Sequence, residues 1–331
     1  MRPPEAVQHT TMNWSIRPFT PDLYPAIAEV HSAVYPENPS TAEGLRSEDE
    51  RAHRFAGFQR WVAQVEALVV GYGEHGPALR SPDPHTFWAD IVVQLAYRRR
   101  GIGSALYDLI IGSLGRFQAR TLRIYARDDF ADSIAFLERR GFREVMRTWD
   151  CRLDVPTFDF APYQGLEDRL SVEDVTIRTL QELEGGPARN REVYELYREI
   201  HYDIPRPEPR VPDRYEEFVE KHLRGPDRPF FVAVRGKQYV GLHALTHRRE
   251  LNQLYIEMTG VRRGYRRRGI ALAMKLRGVA YAREHGVPTM KTFNESTNLG
   301  ILAINERLGF VRLRATVDFV KSCAGLPAIP C

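Results

Sequence analysis

VQLAYRRRGIG at Val93–Gly103 returns as VRRGYRRRGIA at Val261–Ala271, 168 residues further on. In each copy a valine stands five residues before an arginine triplet, a glycine follows the triplet, and a small residue comes two places after that glycine. The match extends outward in register. Gly141–Phe142 in ERRGF and Gly309–Phe310 in ERLGF are again 168 apart. Upstream, SIRPFT at Ser15–Thr20 resembles TIRTL at Thr176–Leu180, and VVGYG at Val69–Gly73 resembles YVGLH at Tyr239–His243, with offsets that differ by a few residues as loops absorb insertions. A repeat of this length is a duplicated domain, not a solenoid unit.

Each half carries the same order of elements. A strand opens it at Ile16–Arg17 or Val175–Arg178, and helical stretches follow, such as Arg191–His201 and Tyr215–Leu223 in the second half. A hairpin comes next, with Gly236 in the second half's turn, where such a turn favours glycine. A strand then ends at Val93 or Val261, and the arginine-glycine loop leads into a helix. Ile102, Leu106 and Ile110 recur every four positions after the first loop, and Ile270 and Met274 take the same positions after the second. A strand, a short helix, Gly-Phe and a final strand close each half. The intervening stretch is rich in Pro, Gly and acids, which reads as a linker. The expected domains are therefore 13–153 and 175–322, joined by 154–174, and the class is α/β in two tandem units.

The 331 residues suit two domains, and 43% apolar with 11% aromatic content suits packed cores. A net charge of +4 is a weak basic bias. The arginines cluster in matching loops at helix starts instead of along one helical face with interleaved aromatics, so nucleic acid is not the expected partner. The three cysteines, Cys151, Cys323 and Cys331, share no metal-ligand spacing, so no metal is expected and they read as reduced thiols. The first dozen residues read as a disordered lead-in without the apolar stretch of a signal peptide. Runs such as Ala67–Val70 and Leu109–Ile111 are far too short to cross a bilayer. The expectation is a cytoplasmic protein, monomeric or homodimeric, away from membranes.

A strand that runs through a glycine turn into a helix exposes the helix's first amide N–H groups, and these bind phosphate with the help of the helix dipole. Gly101 and Gly103 remove side chains where a ligand must approach; Gly269 and Ala271 do so in the second copy. Arg98, Arg99 and Arg100, and likewise Arg266, Arg267 and Arg268, add charge beside Ile102 and Ile270. The loop lacks the Lys-Ser/Thr ending of a nucleotide P-loop, and it is not GxGxxG.

With its Arg-x-x-Gly-x-Ala/Gly spacing, this segment resembles the acyl-coenzyme A pyrophosphate loop of the GNAT-type N-acetyltransferase superfamily, and the Gly-Phe pairs match that family's last landmark in both halves. The order of elements resembles its tandem members, with a mycothiol synthase-like architecture. The resemblance implies two units, each a mixed, mostly antiparallel sheet flanked by helices. It implies acetyl-CoA as cofactor, its pantetheine beside the strand ending at Val261 and its pyrophosphate on residues 266–271, with Val93–Gly103 as the counterpart loop. It also implies a small-molecule amine as acceptor.

Direct acetyl transfer needs a base for the amine and donors for the developing charge. Glu257 lies four residues before Val261, among the mostly apolar Leu254, Ile256 and Met258, where many members of the family place a base. The first half has Ala89 there and Asp90 beside it. Many members carry a tyrosine four residues before the Gly of Gly-Phe; here that position is Leu137 or Asn305, and asparagine offers only a hydrogen bond. The resemblance places Asn294 and Asn298 with Asn305 along the pantetheine; helix capping is the alternative for Asn294 or Asn298. Tyr197, His201 and Asp203, in YREIHYDIPRPEP, are candidates for an acceptor pocket. The expected activity is an N-acetyltransferase with its chemistry in the second half and a degenerate first half. The alternative is a CoA-binding structural or regulatory protein.

Overall fold

A computed structural model describes residues 13–52, 57–79, 81–206, 211–225 and 228–323; the expected N-terminal lead-in and Cys331 lie outside the described residues. In chain order the elements are β1 (Trp14–Pro18), α1 (Tyr24–Val34), α2 (Ala42–Ala52), β2 (Gln59–Val65), β3 (Leu68–Pro77), β4 (Thr86–Val93), α3 (Ile102–Leu114), β5 (Thr121–Arg127), α4 (Ala131–Glu138) and β6 (Arg143–Asp154). There follow α5 (Leu166–Val172), β7 (Val175–Thr179), α6 (Pro187–Tyr202), α7 (Tyr215–Phe218), β8 (Phe230–Arg235), β9 (Gln238–Arg248), β10 (Gln253–Val261), α8 (Ile270–Glu284), β11 (Thr289–Glu295), α9 (Leu299–Arg307) and β12 (Val311–Ser322). Among the described residues no helix is long and apolar enough to cross a membrane.

The chain forms two compact units. The first gathers residues through Tyr125, with Arg140–Arg143 and those from Phe319 on; the second gathers Ala126–Arg139 and Glu144–Asp318. In the first unit β1, β2, β3 and β4 pair antiparallel in turn, and β4 runs parallel to β5 over Thr86–Ala89. α3 lays Leu106 and Ile110 against Gly73 on one face. Glu74, next in the strand, points to the opposite face, into a buried ion network. There the Arg60 guanidinium holds both Asp49 carboxylate oxygens, at 2.7 and 3.0 Å, and also binds Glu74, while the Tyr24 hydroxyl donates to Asp49 at 2.8 Å. Burial pushes the Glu74 carboxyl up to about 7, although Arg60 pulls it the other way. Arg60→Leu leaves two buried carboxylates without their cation. A loss of ~3–5 kcal/mol is expected, readable as a lower urea midpoint.

The second unit repeats this plan. β7 to β10 pair antiparallel in turn, and β10 runs parallel to β11 over Gln253–Ile256. Beyond β11 the next strand is β6, whose Thr148–Asp154 pairs antiparallel with Thr289–Glu295. Thus the strand after the first Gly-Phe completes the second unit, and residues from Phe319 of β12 belong to the first. The repeat in sequence and the compact units in space follow different boundaries. A sheet edge needs only backbone partners, and the side-chain pattern does not say which strand supplies them.

The stretch 154–174, expected as a linker, carries a 3-10 turn at Ala161–Tyr163 and α5. Leu166 and Leu170 are 7% and 2% exposed within the second unit's core, and Arg277 of α8 binds Glu167. It is a packed part of that unit. Cys151 and Cys323 are buried free thiols.

Candidate active site

The two arginine-glycine loops have the same backbone. Arg99 and Arg267 sit at φ 62° and 66°, and Gly101 and Gly269 at φ 87° and 90°. Left-handed backbone disfavours a side chain, so its recurrence in two arginines marks a built loop. Gly101 and Gly269 are the N-caps of α3 and α8, and neither helix has a side-chain cap. The first-turn amides therefore stay open to a ligand. The first arginine of each triplet turns back on its own strand: Arg98 Nε donates to the Val93 carbonyl at 3.0 Å, and Arg266 Nε to that of Val261 at 2.9 Å. In the second unit Arg263 and Arg266 also bind Asp203, and Arg268 binds Glu173 at 3.0 Å. Arg267 has no carboxylate partner among the described residues.

Past Ile256, β10 has no pairing with β11 and leaves the sheet split along one edge. A cleft of roughly 730 Å³ opens there, lined by Thr259, Val261, Gly269, Ala271, Asn298 and Ile304 among others. Its size suits a cofactor-sized ligand. Gly260 lets α6 lie on the strand's end, since a Cβ there would meet Ile200 Cγ2 at 2.1 Å. Glu257 occupies a bulge, where the β9 pairing slips between Ile256 and Met258; it is half-buried, and no described arginine pairs with it. β4 has no such bulge: its pairing with β3 runs unbroken from Val93 to Phe87. Asp90 instead stands opposite Glu74, and burial pushes its carboxyl up to about 6.

The other expected residues divide. Asn298 is the N-cap residue of α9 but makes no capping bond, and it lines the cleft. Asn305 is buried, turned toward β11, and its Nδ2 donates to Asn294 Oδ1 at 2.5 Å. It does not line the cleft. Tyr197 and His201, each 5% exposed, do not line it either; the Tyr197 hydroxyl donates to buried Asp213 at 3.1 Å. Asp203 does line it, and the Arg263 guanidinium holds its carboxyl below the usual carboxylate range. Thr259 lines the cleft with His243 as its cross-strand neighbour, and sequence reasoning points to neither. Their signals there are a threonine in Thr-Gly-Val just before the loop, and Gly278 inside a helix.

A duplicated α/β unit, with a glycine-led helix at the mouth of a split sheet, is the class that these features define. The chain belongs to the acetyltransferase (GNAT) family, whose sequence model matches residues 21–142 and 190–310. Among curated relatives, a mycothiol acetyltransferase of Streptomyces scabiei is 25% identical over 264 residues, 77% of each chain. One of Salinispora arenicola is 24% identical over 305 residues, 87% of each. Among solved structures, a GCN5-related N-acetyltransferase from Sphaerobacter thermophilus superposes with a TM-score of 0.70 at 19% identity, covering 96% of this chain and 98% of that one. A tandem GNAT protein from the clavulanic acid biosynthesis pathway gives 0.68 at 18%, covering 94% and 99%. These structures share the fold.

Proposed function

We propose that this protein is an acetyl-CoA-dependent N-acetyltransferase that moves an acetyl group directly to a primary amine of a small molecule, in the cytoplasm, with its chemistry in the second unit. The observation that carries this reading is the order along one strand: Glu257 in a bulge, not itself lining the cleft, then Thr259–Val261 on the cleft wall, and the open N-terminus of α8, whose Gly269 and Ala271 line the same cleft. The residues present fit the cofactor. The uncapped amides of Ile270 and Ala271, with Arg267 beside them, suit its pyrophosphate, and the backbone edge of Thr259–Val261, unpaired on the β11 side, suits its pantetheine. When bound, acetyl-CoA supplies an acyl group activated as a thioester. Glu257 takes the proton from the acceptor amine. Asn305, committed to Asn294, donates no proton.

Relatives that are mycothiol acetyltransferases support a small-molecule acceptor. The second reading, a non-catalytic CoA-binding protein, draws on Leu137 and Asn305, neither of which can act as an acid. The test is calorimetry with acetyl-CoA, followed by thiol release across a panel of small amines. Acetyl-CoA is expected to bind, and Glu257→Gln to cut turnover about 100-fold with unchanged cofactor affinity. Binding without thiol release for any amine would favour the second reading.

A further inference from the structure

His243 on β9 stands directly across from Thr259 on β10, and its Nδ1 lies 2.8 Å from the Thr259 hydroxyl oxygen. The histidine is fully buried, and its Nε2 has no partner among the described residues. That nitrogen abuts Gly278 of α8, where an added Cβ would come within 2.6 Å of it. Two unfavourable choices meet here: a glycine inside a helix and an unpartnered ring nitrogen in the core.

The first unit shows that packing does not require either. At the matching positions it has Gly73 on β3 and Ile91 on β4, paired across the strands, with Leu106 and Ile110 of α3 closing onto the glycine. The same gap is filled there by apolar side chains alone. What the second unit gains is a fixed hydroxyl on the cleft wall, because Thr259 lines the cleft.

The ring is neutral, since burial and the nearby Lys275 ammonium hold His243 well below its usual pKa. Nε2 has no partner, so a proton there would be a buried donor left unmade, which favours the proton on Nδ1, the nitrogen that faces β10. Nδ1–H then donates to the Thr259 oxygen, and the hydroxyl's own hydrogen is left to point into the cleft. Along the strand Thr259 lies two residues past Glu257, beyond the bulge, and two before Val261. It is therefore the residue of the pantetheine edge next along the chain to the bulge that holds the base, the place for a thioester sulfur.

We propose, on the basis of the acetyl-CoA reading above, that Thr259 donates a hydrogen bond to the cofactor's sulfur and that His243 is the positioning residue that aims it. Asn305, turned away to Asn294, leaves this role open. No covalent step belongs to the threonine; it keeps its proton and stabilises negative charge on sulfur.

The experiment titrates the thiol of bound CoA by its thiolate absorbance, with desulfo-CoA affinity as the control for binding. The charged group acting on the pair, Lys275 on α8, is common to all variants, as is Glu257 further along the strand, so differences isolate the hydroxyl. In Thr259→Val the bound thiol is expected to ionise about one pH unit higher than in the wild type. Thr259→Ser is expected to keep the wild-type value, and His243→Phe to move toward that of Thr259→Val, with desulfo-CoA affinity unchanged throughout. If Thr259→Val is poorly folded, Thr259→Ala against Thr259→Ser carries the same comparison. Equal thiol ionisation in wild type and the hydroxyl-less variant, both binding CoA, overturns the assignment. A wild type that binds no CoA overturns the cofactor reading and this inference with it.

Discussion

Gly269→Glu is expected to abolish acetyl-CoA binding by the second unit, as measured by calorimetry. Three effects act together at this position. Gly269 sits at φ 90°, a conformation that a side chain resists by roughly 1–2 kcal/mol. A Cβ there would press on Leu166 Cδ1 at 2.9 Å, and Leu166 is held in the core. The added carboxylate would also stand at a helix N-terminus offered to phosphate, in the way of the ligand and repelling its charge. A modest fall in melting temperature is expected alongside the lost affinity, and comparison of the two separates strain from the binding defect. Gly101→Glu places the same group in the first loop, at φ 87°. One wild-type site that survives this change and disappears with Gly269→Glu would locate cofactor binding in the second unit alone. Undiminished binding in Gly269→Glu would refute the loop's assignment.

Lys275→Met should stabilise the protein, most strongly at and below neutral pH. Lys275 is 1% exposed on α8, its ammonium 5.5 Å over the Phe310 ring. Burial lowers its pKa from 10.5 to about 7. Between those values the unfolded chain binds a proton that the folded chain does not, so stability rises with pH through that window. Below it both states are charged, and the full cost of burying the ammonium remains. The shift corresponds to roughly 5 kcal/mol. Methionine fills a similar volume without the charge, so urea unfolding at pH 6 to 7 should show the variant more stable by several kcal/mol. That advantage should shrink toward zero above about pH 11, where the lysine is neutral in the fold and largely so in the unfolded chain. A variant no more stable than the wild type at pH 6, or a gap that does not narrow, would count against a buried charge.

What the sequence discloses here is local. The loops, the helices behind them and the order of elements follow from glycine positions and four-residue periodicity, and they recur in register. What it hides depends on partners distant along the chain. Leu166 and Leu170, one helical turn apart, bury α5 inside a stretch whose Pro, Gly and acids read as linker. Tyr197 and His201 lie on a helix whose polar atoms face inward as readily as outward, and only packing against Phe218 and Asp213 decides between them. The bulge that sets Glu257 apart shows only in the slipped pairing with β9. The Thr259–His243 pair joins residues sixteen positions apart, visible only once β9 and β10 are aligned.

One feature of the sheet bears on the gene. β6, encoded in the first half, is the strand that pairs with β11, and the chain's last strand residues belong to the first unit. A deletion that discarded either half would strip the survivor of a strand. Such an exchange locks a duplication in place, so a unit can lose its own chemistry and still be retained by selection for the sake of the other.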